Sequence, residues 1–372
     1  MPEHHAAALT TEFSDRRGEA LAGALLSLSA KALFIWSEAF PTIKQPTKMG
    51  DTMNYYFRLI MLLVLTATIA QAQTQNLRAA TASSYIERGN KWFSKGEYDL
   101  AIADFDLAIA SDPNGAGAYY NRATARCRKG DYDHALTDFT RVLQLDPRFV
   151  PAWVDRAGVR YLKGDWDGVI SDCTKAIELA PRLAQPWGNR GVARMEKKDL
   201  PGALADFNHA LKLDSKLAQT WSDRGVAKYH LGDFAGAIAD HTQAIKLKPD
   251  FAEAYGDRGV ARHANGDADG ALADYQRTIE LKPALSITYF NRTLIWRERS
   301  EWARAIADFN QVIALDPQFA DAHCNRGLVR MRQGDEAGAQ RDFQQCVTIN
   351  PNLKASLEQL ISTERAKMTA NK

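Results

Sequence analysis

The chain has 372 residues, is 45% hydrophobic and 25% charged, and carries 47 Lys plus Arg against 45 Asp plus Glu for a formal charge of +2. This composition excludes a disordered or collagen-like chain, and the near-neutral balance, held at 36 against 37 within residues 82–353, removes the field a nucleic-acid binder needs. The four cysteines, Cys127, Cys173, Cys324 and Cys346, show neither CxxC nor paired-His spacing, so no metal or iron–sulfur cofactor is expected.

Residues 1–52 show no repeat and no clear periodicity. Within them, residues 21–36 (LAGALLSLSAKALFIW) are apolar but interrupted by Lys31, which reads as an amphipathic or buried helix. Residues 53–72 (MNYYFRLIMLLVLTATIAQA) read as a secretory signal: Arg58 precedes an apolar run, and Ala70-Gln71-Ala72 supplies the small residues of a cleavage site. The alternative is an uncleaved N-terminal membrane anchor. Because this segment does not begin at the first methionine, translation is expected to start at Met53 or Met49. Residues 73–81 read as a linker.

From residue 82 the chain repeats with a 34-residue period. Eight copies follow without a gap, at 82–115, 116–149, 150–183, 184–217, 218–251, 252–285, 286–319 and 320–353; such a period dictates the architecture. Position 4 of a copy is aromatic in seven (Tyr85, Tyr119, Trp153, Trp187, Trp221, Tyr255, Tyr289) and His323 in the last. Position 8 is Gly or Ala except for Thr293, and positions 20, 24 and 27 are mostly Ala, aromatic and Ala. Spacings of three and four place these on helix faces, so each copy holds two amphipathic helices. Gly at position 15 in six copies suits a helix C-terminus. An acid at position 16 in all eight suits the next N-terminus, and Pro at position 32 in seven ends the second helix.

This pattern resembles the tetratricopeptide repeat. The resemblance covers residues 82–353 and implies an all-α, right-handed superhelical solenoid of antiparallel helix pairs, with a concave groove lined by the first helices. Residues 354–372, with Leu357, Leu360 and Ile361 at helical spacing, would supply a capping helix and tail.

Two positions depart from the family. Position 7, usually Leu, is Arg in every copy: Arg88, Arg122, Arg156, Arg190, Arg224, Arg258, Arg292 and Arg326. Position 23 is Asp in every copy: Asp104, Asp138, Asp172, Asp206, Asp240, Asp274, Asp308 and Asp342. In a hairpin folded at positions 14–16 these two lie opposite one another, so an Arg–Asp pair is expected in each repeat, forming a structural ladder. Arg or Lys at position 11 in six copies could line a groove for acidic ligands or pair with nearby acids.

The resemblance places positions 2, 5, 6, 9, 12 and 13 in the groove. Position 6 is always polar: Glu87, Asn121, Asp155, Asn189, Asp223, Asp257, Asn291 and Asn325. Around it stand Phe93, Tyr120, Tyr161, Met195, Tyr229, Phe290 and Met331. Amides beside aromatic and Met side chains suit an extended peptide; the same Asn and Asp could instead bond across adjacent repeats. The Lys residues by which chaperone-binding relatives clamp a terminal carboxylate are missing from positions 2 and 5. Cys173 and Cys346 read as small core residues, and whether Cys324 and Cys346 bond is left open. No catalytic motif appears. The expected function is a non-enzymatic scaffold for a protein or peptide partner, with no nucleic acid, exported or held at a membrane through residues 53–72. The alternative is a membrane-anchored envelope assembly factor that acts through its end faces.

Overall fold

The computed structural model describes residues 49–370, with side chains from 56 to 369. The apolar stretch 21–36 and the upstream extension lie outside the described residues. Those described form helices and turns without a strand, divided into two compact units, one up to Leu145 and one from Asp146. The first unit holds α1 (Met49–Ser94), α2 (Tyr98–Ser111), α3 (Ala116–Lys129) and α4 (Tyr132–Leu145), each packed on the next.

The second unit holds α5 (Val150–Leu162), α6 (Trp166–Leu179), α7 (Ala184–Glu196), α8 (Leu200–Leu213), α9 (Ala218–His230) and α10 (Phe234–Leu247). It continues through α11 (Ala252–Ala264), α12 (Ala268–Leu281), α13 (Ser286–Glu298), α14 (Trp302–Leu315), α15 (Ala320–Arg332), α16 (Glu336–Ile349) and α17 (Lys354–Ala370). Each helix packs on its successor through α16, and the first helices α5, α7, α9, α11 and α13 also touch in sequence, forming one lined face. The fold is thus a tandem array of antiparallel helix pairs, one pair per 34-residue copy.

The hairpins follow from a few positions. Position 15 is left-handed throughout: φ is positive at Gly96, Gly130, Gly164, Gly232, Gly266 and Gly334, and also at Lys198 (68°) and Ser300 (57°). A side chain pays about 1 kcal/mol there. Lys198→Gly and Ser300→Gly are each expected to add about 0.5–1 kcal/mol in urea unfolding; a loss at either would show that its side chain makes a compensating contact. In five repeats the position-16 acid caps the second helix, as where Asp199 accepts from the Gly202 amide at 3.0 Å.

Positions 8 and 24 set how closely the two helices approach. A Cβ on Gly191 would stand 2.6 Å from Phe207, so in repeat 4 glycine lets the ring approach closely, whereas Phe139 and Phe309 sit opposite Ala123 and Thr293. Repeat 3 reverses the sizes, with Ala157 packed against Cys173. In repeat 5 the ring is His241, 1% exposed, with Nδ1 3.1 Å from Ser222 Oγ. Burial pushes its pKa down to about 4.

The unfolded imidazole, with its ordinary pKa near 6.5, binds a proton that the buried one refuses. Stability is therefore present above pH 6.5 and lost as pH falls toward 4, by about 2 kcal/mol between pH 7 and pH 5. His241→Phe, with Gly225 opposite providing room, is expected to remove that loss when urea curves of the two proteins are compared at both pH values. Equal slopes with pH would refute it.

At the N-terminal end α1 runs unbroken from the signal-like segment through residues 73–81 into repeat 1. It is the one helix among the described residues long and apolar enough to cross a membrane. Phe57, Ile60, Leu63 and Leu65 on it are each more than half exposed. At the other end α17 lies on α15, with Leu357 buried beside Leu328 and Met331 and Glu364 paired with Arg332. Beneath it a disulfide joins Cys324 of α15 to Cys346 of α16, their Cα atoms 5.3 Å apart. Cys127 and Cys173 are not disulfide-bonded, and burial pushes the Cys173 thiol up to about 12.

Candidate binding groove

The framework of the groove is a chain of charge pairs. In every repeat the position-7 guanidinium donates through Nε and Nη2 to both oxygens of the position-23 carboxylate, at 2.5–2.9 Å. This is the planar, two-point match that arginine makes and lysine cannot. The carboxylates are 0–8% exposed. From repeat 2 onward the arginines are also largely enclosed, whereas Arg88 at the open N-terminal edge is 55% exposed.

Three further kinds of contact recur along the ladder. The guanidinium carbon sits 4.6–5.7 Å from the position-4 ring in seven repeats, a cation–π contact. The position-11 bases, Arg126, Arg160, Arg194, Lys228, Arg262 and Arg330, reach the same carboxylate at 2.5–2.9 Å. They are turned into the framework, so the reading that they line a groove for acidic ligands is corrected. In repeat 7 Trp296 takes that place, donating Nε1–H to Asp308 at 3.0 Å.

The third contact was missed in the sequence. The remaining guanidinium nitrogen, Nη1, crosses to position 25 of the preceding repeat: Arg122 to Asp106, Arg190 to Thr174, Arg224 to Asn208, Arg258 to Thr242, Arg292 to Gln276 and Arg326 to Asn310. The signal was available, since position 25 carries a side-chain oxygen in all eight copies.

From repeat 2 onward the position-6 residues are partly buried along the first helices, whereas Glu87 is exposed, and they divide by what they touch. Asn121 donates to Asn90 of the preceding repeat at 3.0 Å, and Asn325 accepts from Arg297 at 2.7 Å, so these two bridge neighbouring repeats. The side-chain amides of Asn189 and Asn291 have no hydrogen-bond partner among the described residues. Asp155 lies at the equivalent place on α5. Asp223 accepts only from Gln219, at 2.9 Å, and shares a cleft with Asp257, floored by Ser222 and Val226. Burial raises both carboxyls to about 6, and for Asp257 the charges of Asp223 and Glu253 add to the rise.

The apolar candidates are placed less simply. Phe93, Tyr161 and Tyr229 each set their ring 5.4 Å from an aromatic across the hairpin turn, Tyr98, Trp166 and Phe234 respectively; Tyr161 remains 45% exposed. Phe290 packs between Phe309 and Phe319, and Met331 is fully enclosed. Met331 belongs to the core beneath α17, whereas Phe290 is partly buried against α14.

The tetratricopeptide repeat family matches residues 116–149, 222–286 and 320–353, and a further repeat family of the same kind matches 293–334. The chain is a tetratricopeptide-repeat protein. No curated protein matches the sequence. Among solved structures, the tetratricopeptide fold here is similar to the Cut9–Hcn1 tetramer of the APC/C, at 15% identity and TM-score 0.54 over 80% of this chain and 59% of that one. It is also similar to pilF of Pseudomonas aeruginosa, at 18% and 0.51 over 57% and 97%. A third is the C-terminal part of a repeat-containing protein from Cytophaga hutchinsonii, at 18% and 0.50 over 64% and 97%. At these identities the likeness is one of fold.

Proposed function

We propose that this tetratricopeptide-repeat protein is a scaffold without catalytic chemistry of its own, holding an extended peptide or protein segment along the face lined by its first helices. The observation that carries this reading is a division of labour. The charges of the ladder are spent on one another, while on the lined face the amides of Asn189 and Asn291 stay unengaged, each able to donate and accept at once. A random-peptide display selected on the full-length chain is expected to yield binders that Asn189→Ala with Asn291→Ala weakens, without a change in helicity. Binders indifferent to both substitutions would move the site to another face.

The leader supports export, and the unbroken course of α1 favours retention of residues 53–72 as an anchor. In that form the array would begin at a membrane surface. Recovery of the protein in the membrane fraction after alkaline carbonate washing is the expected result; a soluble product beginning at Gln73 would assign the segment as a cleaved signal.

A further inference from the structure

The lined face is not uniform along its length. In repeats 3–6 the six positions assigned to it by the family pattern contain Asp155, Glu196, Asp223, Glu253 and Asp257 and not one Lys or Arg, although the whole chain is slightly basic. In repeats 7 and 8 the same positions hold Arg297 and Arg332 beside Glu298 and Asp321. Net negative charge is therefore concentrated in repeats 3–6, with Glu87 and Arg128 the charged residues at these positions in repeats 1 and 2.

Within that stretch the cleft on α9 and α11 is distinctive. Ladder carboxylates each meet a guanidinium. Asp223 meets only the Gln219 amide, and Asp257 has no hydrogen-bond partner among the described residues. Neither of the two lysines that line the cleft is bonded to them: Lys282 is bonded to Glu253, and Lys248 lies over the Phe251 ring, 5.0 Å from its centre. Position 5 of the same repeats is small, with Gly188, Ser222 and Gly256 in succession. A Cβ on Gly188 or Gly256 would touch the buried Thr220 or Thr278 at 3.4–3.6 Å, so these positions are filled from within the array. Partly buried carboxylates without a cation are costly to the free protein, and a cationic ligand would relieve that cost.

From this charge complementarity we infer that repeats 3–6 take a basic peptide segment in extended form, with a Lys or Arg side chain of the ligand seated between Asp223 and Asp257. The inference rests on the groove reading above and names the partner's chemistry.

The test uses the full-length chain and two fluorescein-labelled, end-blocked peptides, one alternating Lys and Ser and one alternating Glu and Ser, read by anisotropy. The Lys peptide is expected to bind and the Glu peptide not. Asp223→Asn with Asp257→Asn should weaken the Lys peptide about tenfold. Asp167→Asn with Asp269→Asn, which removes carboxylates that are 80% and 87% exposed and paired with Lys197 and Arg299, should leave affinity within about twofold. Because the Asp223 and Asp257 substitutions remove desolvated charge, that variant should melt no lower than the parent; a large fall in Tm would assign both residues to the framework and overturn the proposal. Equal losses in the two variants, equal binding of the two peptides, or no binding of the Lys peptide would also overturn it. Should the display yield acidic or neutral peptides that still depend on Asn189 and Asn291, the groove reading stands and this one falls.

Discussion

Arg292→Ala is expected to cost about 3–5 kcal/mol in chemical denaturation, because it strands Asp308 in the interior with no cation. The magnitude depends on what remains around the carboxylate. In repeat 4, Arg190→Ala would leave Asp206 in contact with Arg194 at 2.8 Å. In repeat 7 the corresponding residue is Trp296, whose neutral N–H can donate but carries no charge. The Arg292 side chain is 15% exposed and that of Asp308 8%, so solvent offers little relief. Arg88→Ala should cost less, about 1–2 kcal/mol, because its arginine is already half in water and its loss opens Asp104, 6% exposed beneath it, to solvent. The order Arg292, Arg190, Arg88 is the content of the prediction; three equal values would mean that these pairs act through packing and not through charge.

Loss of the disulfide is expected to cost about 3 kcal/mol. The bond closes a loop over a separation of 22 residues, and the chain entropy it withholds from the unfolded state is of that size. Melting with and without dithiothreitol reads the difference. Cys346 is fully enclosed and Cys324 only 7% exposed, so Cys324→Ala with Cys346→Ala gives the same comparison without dependence on reductant access. Thiol titration of the denatured, unreduced protein should find Cys127 and Cys173 alone. Four reactive thiols and an unchanged melt would show that the two sulfurs remain reduced. Persistence of the bond would also accord with export, since an oxidising compartment preserves it.

Much of this arrangement was legible in the sequence, for physical reasons specific to repeats. Eight copies average away the local accidents that make one helix ambiguous, so positions 4, 8, 20, 24 and 27 announced the packing faces, and positions 15, 16 and 32 the hairpin ends. Even Lys198 and Ser300 occupy the turn that their glycine counterparts define. The facing of Arg190 and Asp206 followed from the fold of the hairpin about its turn.

Contacts between copies were harder to read, because the offset from one helix pair to the next is a property of stacking and not of spacing. That is why the bonds from Arg190 to Thr174 and from Arg224 to Asn208 escaped notice. It is also why Phe290 and Met331, assigned to the open face by position, turn out to pack against elements that follow them. Asn189 and Asn325 were indistinguishable as letters; only the arrival of Arg297 separates one from the other.

The bond that six of the eight ladder arginines make to the copy before them bears on how such a chain can change its length. Every copy presents an oxygen at position 25 and an arginine at position 7. Excision or duplication of any whole 34-residue block therefore rejoins a donor to an acceptor, and the new seam is chemically the same as the old. A gain or loss of any other length severs the link. Deletion of one whole internal copy is therefore expected to leave a folded, shorter array, and global unfolding of such a deletion would tell against this coupling.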